Sequence, residues 1–209
     1  VLAIGKPTIL IMSNGGALAI DNLIGECAGI VEAFNPAQNT PELARLLFGD
    51  ENRWGKLPVT IYPASFAREQ PMTNYDMSKS PGRTYKYYTG DALFEYGHGL
   101  SLTPFELSCA QSRKGDLTRE ESASSWSGMT VTCTVVNTGN MDGDEVVQVY
   151  HEAGDSIRSK SPHPVPLRSL VDFGRVRVAK SGGAETISFD LDRNSASLVN
   201  ASGERVVYP

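Results

Sequence analysis

The segment Ser80-Pro81-Gly82-Arg83-Thr84-Tyr85-Lys86-Tyr87-Tyr88-Thr89-Gly90-Asp91, continuing through Leu93-Phe94-Glu95-Tyr96-Gly97-His98-Gly99-Leu100-Ser101, constrains the fold of this chain most strongly. Pro-Gly, Thr-Gly and Gly-His-Gly are turn signals, because glycine enters positive φ without steric cost. Aromatics set between such turns read as a loop packed on a larger body. Strand and helix patterns alternate before the segment, and only strand patterns follow it. It therefore reads as a seam between two domains.

Upstream, Thr8-Ile9-Leu10-Ile11-Met12 lies between Pro7 and Asn14-Gly15-Gly16. A short apolar run so bounded suits a strand buried on both faces of a parallel sheet. Residues 29–34 repeat the pattern, and residues 57–62 read as a third strand. Residues 17–24 read as a short helix. A second helix starts with Thr40 as N-cap and Pro41 at the first position, carries Leu43, Leu46 and Leu47 on one face, and stops at Gly49. Strands alternating with helices over short links predict a parallel α/β sheet. Ligands of such sheets bind beyond the carboxyl ends of strands, which points to residues 13–16 and 35–39. Gly15-Gly16 is not a phosphate loop, since no Gly-x-Gly-x-x-Gly or Gly-Lys-Ser/Thr accompanies it.

Downstream, residues 129–136, 145–150, 173–178 and 185–191 are β-branched or alternating. Asn137-Thr138-Gly139-Asn140, Ser181-Gly182-Gly183 and Ser202-Gly203 punctuate them. Short strands with such turns predict an antiparallel sandwich. Thr130, Thr132 and Thr134 alternate with Val131, Cys133 and Val135, so one face is polar and the other apolar. Residues 112–127 and 155–166 read as long polar loops. Of the three cysteines, Cys109 and Cys133 fall on adjacent expected strands, which allows a disulfide without fixing the pairing. Cys27 is then a buried small apolar residue.

The net charge of −5, with no run of lysine or arginine, argues against nucleic acid and anionic membrane as partners. No apolar run approaches the roughly 20 residues that span a bilayer. The first residues carry no methionine, basic leader or cleavage site and read as the interior of a longer chain. No metal-ligand spacing or esterase elbow occurs, and no metal or cofactor is expected. Asn200-Ala201-Ser202 is a glycosylation sequon, relevant only in a secreted protein.

The run PGRTYKYYTG…LFEYGHGLSLTPF resembles the end of the α/β sandwich domain of glycoside hydrolase family 3, in its β-xylosidase branch with β-glucosidases as relatives. Leu47-Phe48-Gly49-Asp50 and Gly55-Lys56-Leu57-Pro58-Val59-Thr60 resemble further family motifs. Phe34-Asn35-Pro36-Ala37-Gln38 lines up with the family's Pro-Gly-Gln loop, Ala37 standing where glycine is usual. A glycine pair near Asn39-Thr40 is missing, and Trp54 replaces a small residue. The Val-x-Asn-Thr-Gly…Gly-Asp-Glu-Val-Val-Gln-Val-Tyr pattern is similar to the fibronectin type III-like domain that follows the sandwich, and Val206-Val207-Tyr208-Pro209 stops before its last strand. The resemblance thus implies residues 1–105 as the end of the α/β sandwich domain and residues 106–209 as the all-β immunoglobulin-like domain.

What the resemblance implies about chemistry is mostly negative for this chain. Family 3 enzymes are retaining, exo-acting glycosidases on terminal β-linked sugars. Their nucleophile lies on a preceding barrel and their acid/base upstream of the aligned segment, so neither transfers onto a residue here. Asn14, Gln38, Arg83 and Tyr85 are the candidate substrate-proximal residues. His98 matches a structural turn, Arg83 could equally pin its loop, and Tyr85, Tyr87, Tyr88 and Tyr96 suit a packed seam as well as a sugar face. Asp50 and Asp91 read as turn residues. The expected partners are a barrel-bearing part of the same enzyme, separate or removed, and a β-linked oligosaccharide. The implied location is extracellular or secretory. A second reading stays open: a non-catalytic structural subunit that binds glycan or protein.

Overall fold

The computed structural model describes residues 2–113 and 128–207. It divides into two compact units. The first comprises Val1–Glu51 and Gly55–Leu100, and the second comprises Asn52–Trp54 and Ser101–Pro209.

In the first unit, β1 (Ile9–Met12) and β2 (Gly29–Glu32) pair in parallel, Ile9 opposite Gly29 and Met12 opposite Glu32. Met12, Ile20 and Ile61 are its buried centre, with Leu10, Ile30, Leu57, Val59, Leu93 and Phe94 packed around them. Residues 17–24 do not form the expected helix. They make successive tight turns, Leu23 N–H to Ile20 O and Glu26 N–H to Leu23 O. The Asp21 carboxylate instead accepts the Ala64 N–H, a tertiary bond that a short polar side chain can trade against helix. Helix α1 (Thr40–Leu47) forms, but Asn39 holds the N-cap position. The Thr40 hydroxyl donates to Ala37 O at 2.7 Å rather than accepting an orphan N–H. Gly49, at φ 78°, ends the element in the left-handed region.

The third parallel strand expected at residues 57–62 is absent. That run crosses residues 93–98 in the antiparallel sense: Leu57 N–H to His98 O, Gly97 N–H to Leu57 O, Ile61 N–H to Phe94 O and Leu93 N–H to Ile61 O. Pro58 has no N–H to give a ladder, so only an isolated Ile61–Phe94 bridge remains. Two short helices follow, α2 (Phe66–Glu69) and α3 (Thr84–Tyr87).

The second unit is the expected antiparallel arrangement. β3 (Phe105–Arg113), β4 (Met129–Asn137) and β7 (Ala184–Leu191) form one sheet in the order β3-β4-β7. β5 (Gly143–His151) pairs with β6 (Ser169–Val178). Cys133, Val135, Val147, Val178, Phe189 and Leu191, drawn from both sheets, are the buried core. On the opposite face of β4 the threonines bond across to β7: Thr130 to Asp190 at 2.6 Å, Thr132 with Ser188 at 2.9 Å. Cys109 and Cys133 are cross-strand partners and are disulfide-bonded, while Cys27 is free and half-buried. Helix α4 (Asp155–Lys160) occupies part of what reads in the sequence as a loop. Most of the other polar stretch, residues 112–127, lies outside the described residues. A small hairpin of β8 (Leu198–Val199) and β9 (Arg205–Val206) lies near the end of the chain.

Residues Asn52–Trp54 are built into this second unit. Asn52, 2 % exposed, accepts the Asp144 N–H at its carbonyl and the Ser101 hydroxyl and Leu102 N–H at Oδ1. Asp144, 4 % exposed, receives Arg53 Nε at 3.2 Å and Arg175 Nη1 at 3.3 Å, with Arg177 at 3.8 Å. Arg175 also donates to the carbonyls of Arg53 and Trp54. A buried carboxylate needs such partners to stay charged.

Candidate functional site

The carboxyl ends of β1 and β2 carry two loops that the backbone ties together. Asn14 N–H donates to Phe34 O at 3.0 Å, and Ala33 N–H to Met12 O at 2.9 Å. Glu32, the last residue of β2, closes the arrangement. Its carboxylate takes the Asn14 amide on both oxygens, at 3.2 and 3.1 Å, and the Phe34 N–H at 2.9 Å. Asn14 Oδ1 in turn accepts the Gly16 N–H. Asn14 is therefore a loop-shaping residue whose side chain is already engaged at both ends. Phe34 and Ala37 sit at φ 49° and 45°, a region that costs an ordinary L-residue energy and concentrates at working sites. Ala37 so keeps the backbone conformation that a glycine would take without cost. Gln38 follows in a short 3-10 turn, Ala37–Asn39, and is exposed.

Arg83 and Tyr85 belong to a second cluster. Arg83 Nη2 donates to the carbonyls of Gln70, Pro71 and Asn74, at 3.4, 2.8 and 3.3 Å. Its guanidinium lies 5.9 Å from the Phe66 ring centre. Phe66 stacks on Tyr62 at 3.9 Å, and Tyr88 meets both edge-on. Tyr85 stacks on Tyr96 at 4.2 Å, so one of its faces is covered. Burial, and secondarily Tyr85, push the Tyr96 phenol above its ordinary pKa and keep it protonated. Thr84 adopts φ 59° while its N–H donates to the Tyr62 hydroxyl at 2.6 Å. The Ser80–Pro81 bond is cis. His98 is exposed and serves its turn through the backbone, its N–H donating to Glu95 O.

Gln70 and Asp144 have no individual role in the sequence reading, and Glu32, one of the carboxylates that read there as solvated, is instead engaged by Asn14 and Phe34. For Glu32 the signal was present: a lone acid within an apolar run, which the structure places at the end of β2. Asp144 lies within the Gly-Asp-Glu-Val-Val motif, which marks the domain but not the residue's ion pairs, and Gln70 carries no local mark. Among the described residues no group of three or more His, Cys, Asp or Glu is placed to hold a metal ion. No described helix is long and apolar enough to cross a membrane.

Residues 1–102 match the Glycosyl hydrolase family 3 C-terminal domain, and residues 145–209 match the Fibronectin type III-like domain. The chain belongs to glycoside hydrolase family 3, whose C-terminal region it carries. It is 34% identical over 95% of its length to a xylan 1,4-beta-xylosidase of Xylanibacter ruminicola, covering 21% of that protein. It is 29% identical over 98% of its length to an exo-1,4-beta-xylosidase of Aspergillus awamori, covering 27%. Among solved structures, a family 3 exo-beta-xylosidase bound to a xylobiose aziridine probe superposes over the whole chain, with TM-score 0.78, 27% identity and 29% of its own length covered. A beta-glucosidase of Erythrobacter marinus gives TM-score 0.75 at 29% identity, with all of this chain and 26% of that one covered. The chain thus spans about a quarter of the family 3 relatives it matches.

Proposed function

We propose that this chain is the supporting C-terminal portion of a retaining, exo-acting family 3 glycosidase that releases terminal β-linked sugars, of the β-xylosidase type. The observation that carries this reading is likeness from end to end: 95% of the chain aligns with a xylan 1,4-beta-xylosidase at 34% identity. A retaining mechanism needs two carboxyl groups about 5–5.5 Å apart, one to attack the anomeric carbon and one to protonate the leaving oxygen. On this reading both belong to the barrel-bearing remainder of the enzyme. The loops after β1 and β2, with Asn14 and Gln38, and the Arg83–Tyr85 turn contribute wall and scaffold. Glu32 supports that division, since its oxygens are committed to Asn14 and Phe34.

The same reading places the enzyme outside the cell or in the secretory pathway. The Cys109–Cys133 bond suits an oxidising compartment. Asn200 of the sequon lies at the turn between β8 and β9, its Oδ1 accepting the Ser202 N–H at 2.9 Å. The test is hydrolysis of 4-nitrophenyl β-xyloside and β-glucoside by the 209-residue chain alone. No turnover is expected, and turnover by the chain alone would sink the proposal.

A further inference from the structure

We propose that the loop over residues 71–77 is a preformed docking surface for the remainder of a family 3 glycosidase, which meets it with an apolar recess flanked by lysine or arginine. This rests on the function proposed above.

Two observations that rarely coincide carry the inference. The loop displays its large side chains to solvent: Met72 is 91% exposed, Tyr75 90% and Met77 41%. Its backbone is nevertheless held from within. Gln70, 3% exposed, donates from Nε2 to Lys79 O at 2.7 Å and accepts Asn74 Nδ2 at 2.6 Å. Arg83 gathers the carbonyls of Gln70, Pro71 and Asn74 from one side, and its own N–H donates to Met77 O at 2.8 Å. Asn74 Oδ1 accepts the Asp76 N–H, and Asp76 Oδ1 accepts both the N–H and the hydroxyl of Ser78.

A loop fixed in advance binds without a large ordering cost. Exposed aromatic and thioether side chains on it are the anchors that bury well in a protein recess. Asp76, between Tyr75 and Met77, is fully exposed, and the Ser78 hydroxyl and N–H hold its carboxyl below the ordinary range. A permanent negative charge beside apolar anchors calls for a cationic rim. A sugar fits less well, because two methionines offer nothing to hydroxyl groups and Arg83 Nη2 is turned inward onto the loop's own carbonyls. The occupant is large enough to exist in the relatives, of whose length this chain covers only 21–27%.

The experiment is a chimera in which this chain replaces the matching C-terminal segment of the Xylanibacter ruminicola xylosidase. A p-benzoylphenylalanine at position 75 reports what lies against the loop after irradiation. Crosslinks to residues upstream of Val1 are expected. In the same chimera, Met72→Asp with Tyr75→Asp should lower xylosidase activity at least about ten-fold. In the 209-residue chain alone the same pair should move Tm by no more than about 2 °C. Crosslinks confined to residues 1–209, to a second copy, or to added xylo-oligosaccharide would each overturn the docking proposal, whether or not the chimera is active. An active chimera without upstream crosslinks removes the docking surface and leaves the glycosidase reading. Upstream crosslinks in a chimera inactive on xylosides and glucosides do the reverse.

Discussion

At Ala37 a methyl group occupies a backbone conformation that suits glycine. The φ of 45° places Cβ against the neighbouring carbonyl, a cost of about 1–2 kcal/mol for an L-residue. Ala37→Gly should therefore stabilise the first unit by about 0.5–1 kcal/mol, since the added freedom of glycine in the unfolded chain offsets part of the relief. Denaturant melts of the two proteins measure it. Glu32 gives the opposite expectation. Glu32→Ala leaves the Asn14 amide and Phe34 N–H without their acceptor. The loss should be about 1–3 kcal/mol, with faster hydrogen exchange at the Phe34 amide and unchanged exchange in β4. Equal acceleration everywhere would mean that the carboxylate does not act locally on these two loops.

At the scale of elements, what could be foreseen depended on where each backbone donor found its partner. β1 and β2 were legible because short apolar runs, Ile9–Met12 and residues 30–31, lie next to turn formers, although Ile9 and Ile11 are exposed where burial on both faces was expected. β4 to β7 were legible because alternation at Thr130–Val135 assigns each side chain to a face, and the structure bonds those threonines to β7. Residues 57–62 carry the same apolar signature, yet their hydrogen bonds run to residues 93–98. Local pattern does not encode which distant segment a strand will meet, and Pro58 removed the donor a regular ladder needs. Gln70, likewise, is an ordinary polar residue until the loop closes around it. The edge strand β3 yields a prediction of its own. Its disulfide joins residues 24 apart in sequence, so reduction should cost the second unit about 3 kcal/mol by loop entropy. Melting with and without dithiothreitol checks this, and no fall in Tm would contradict it.

The whole molecule should respond to pH through His151, near the end of β5. Burial lowers its pKa below the usual imidazole value. The unfolded chain therefore takes up a proton that the folded chain resists. Stability is full above about pH 6.5 and declines as pH falls below it, until the folded-state pKa is passed. His151→Gln should flatten that part of the stability profile between pH 7 and 5, read by calorimetric Tm. Asp76 acts in the lower range: with its folded pKa depressed by Ser78, its contribution is present above about pH 4 and is lost on further acidification. Asp144→Ala tests the second unit without a titration. It removes the carboxylate that three partly solvated guanidinium groups share, so about 2 kcal/mol is expected in urea unfolding.

The placement of Asn52–Trp54 bears on how such a protein can evolve and be engineered. A gene spliced at codon 101 would deliver a β-sandwich lacking three amino acids that complete it, because they are encoded some fifty codons earlier. Recombination at that boundary is penalised, and any graft of this sandwich onto another scaffold has to bring the Asn-Arg-Trp tripeptide with it.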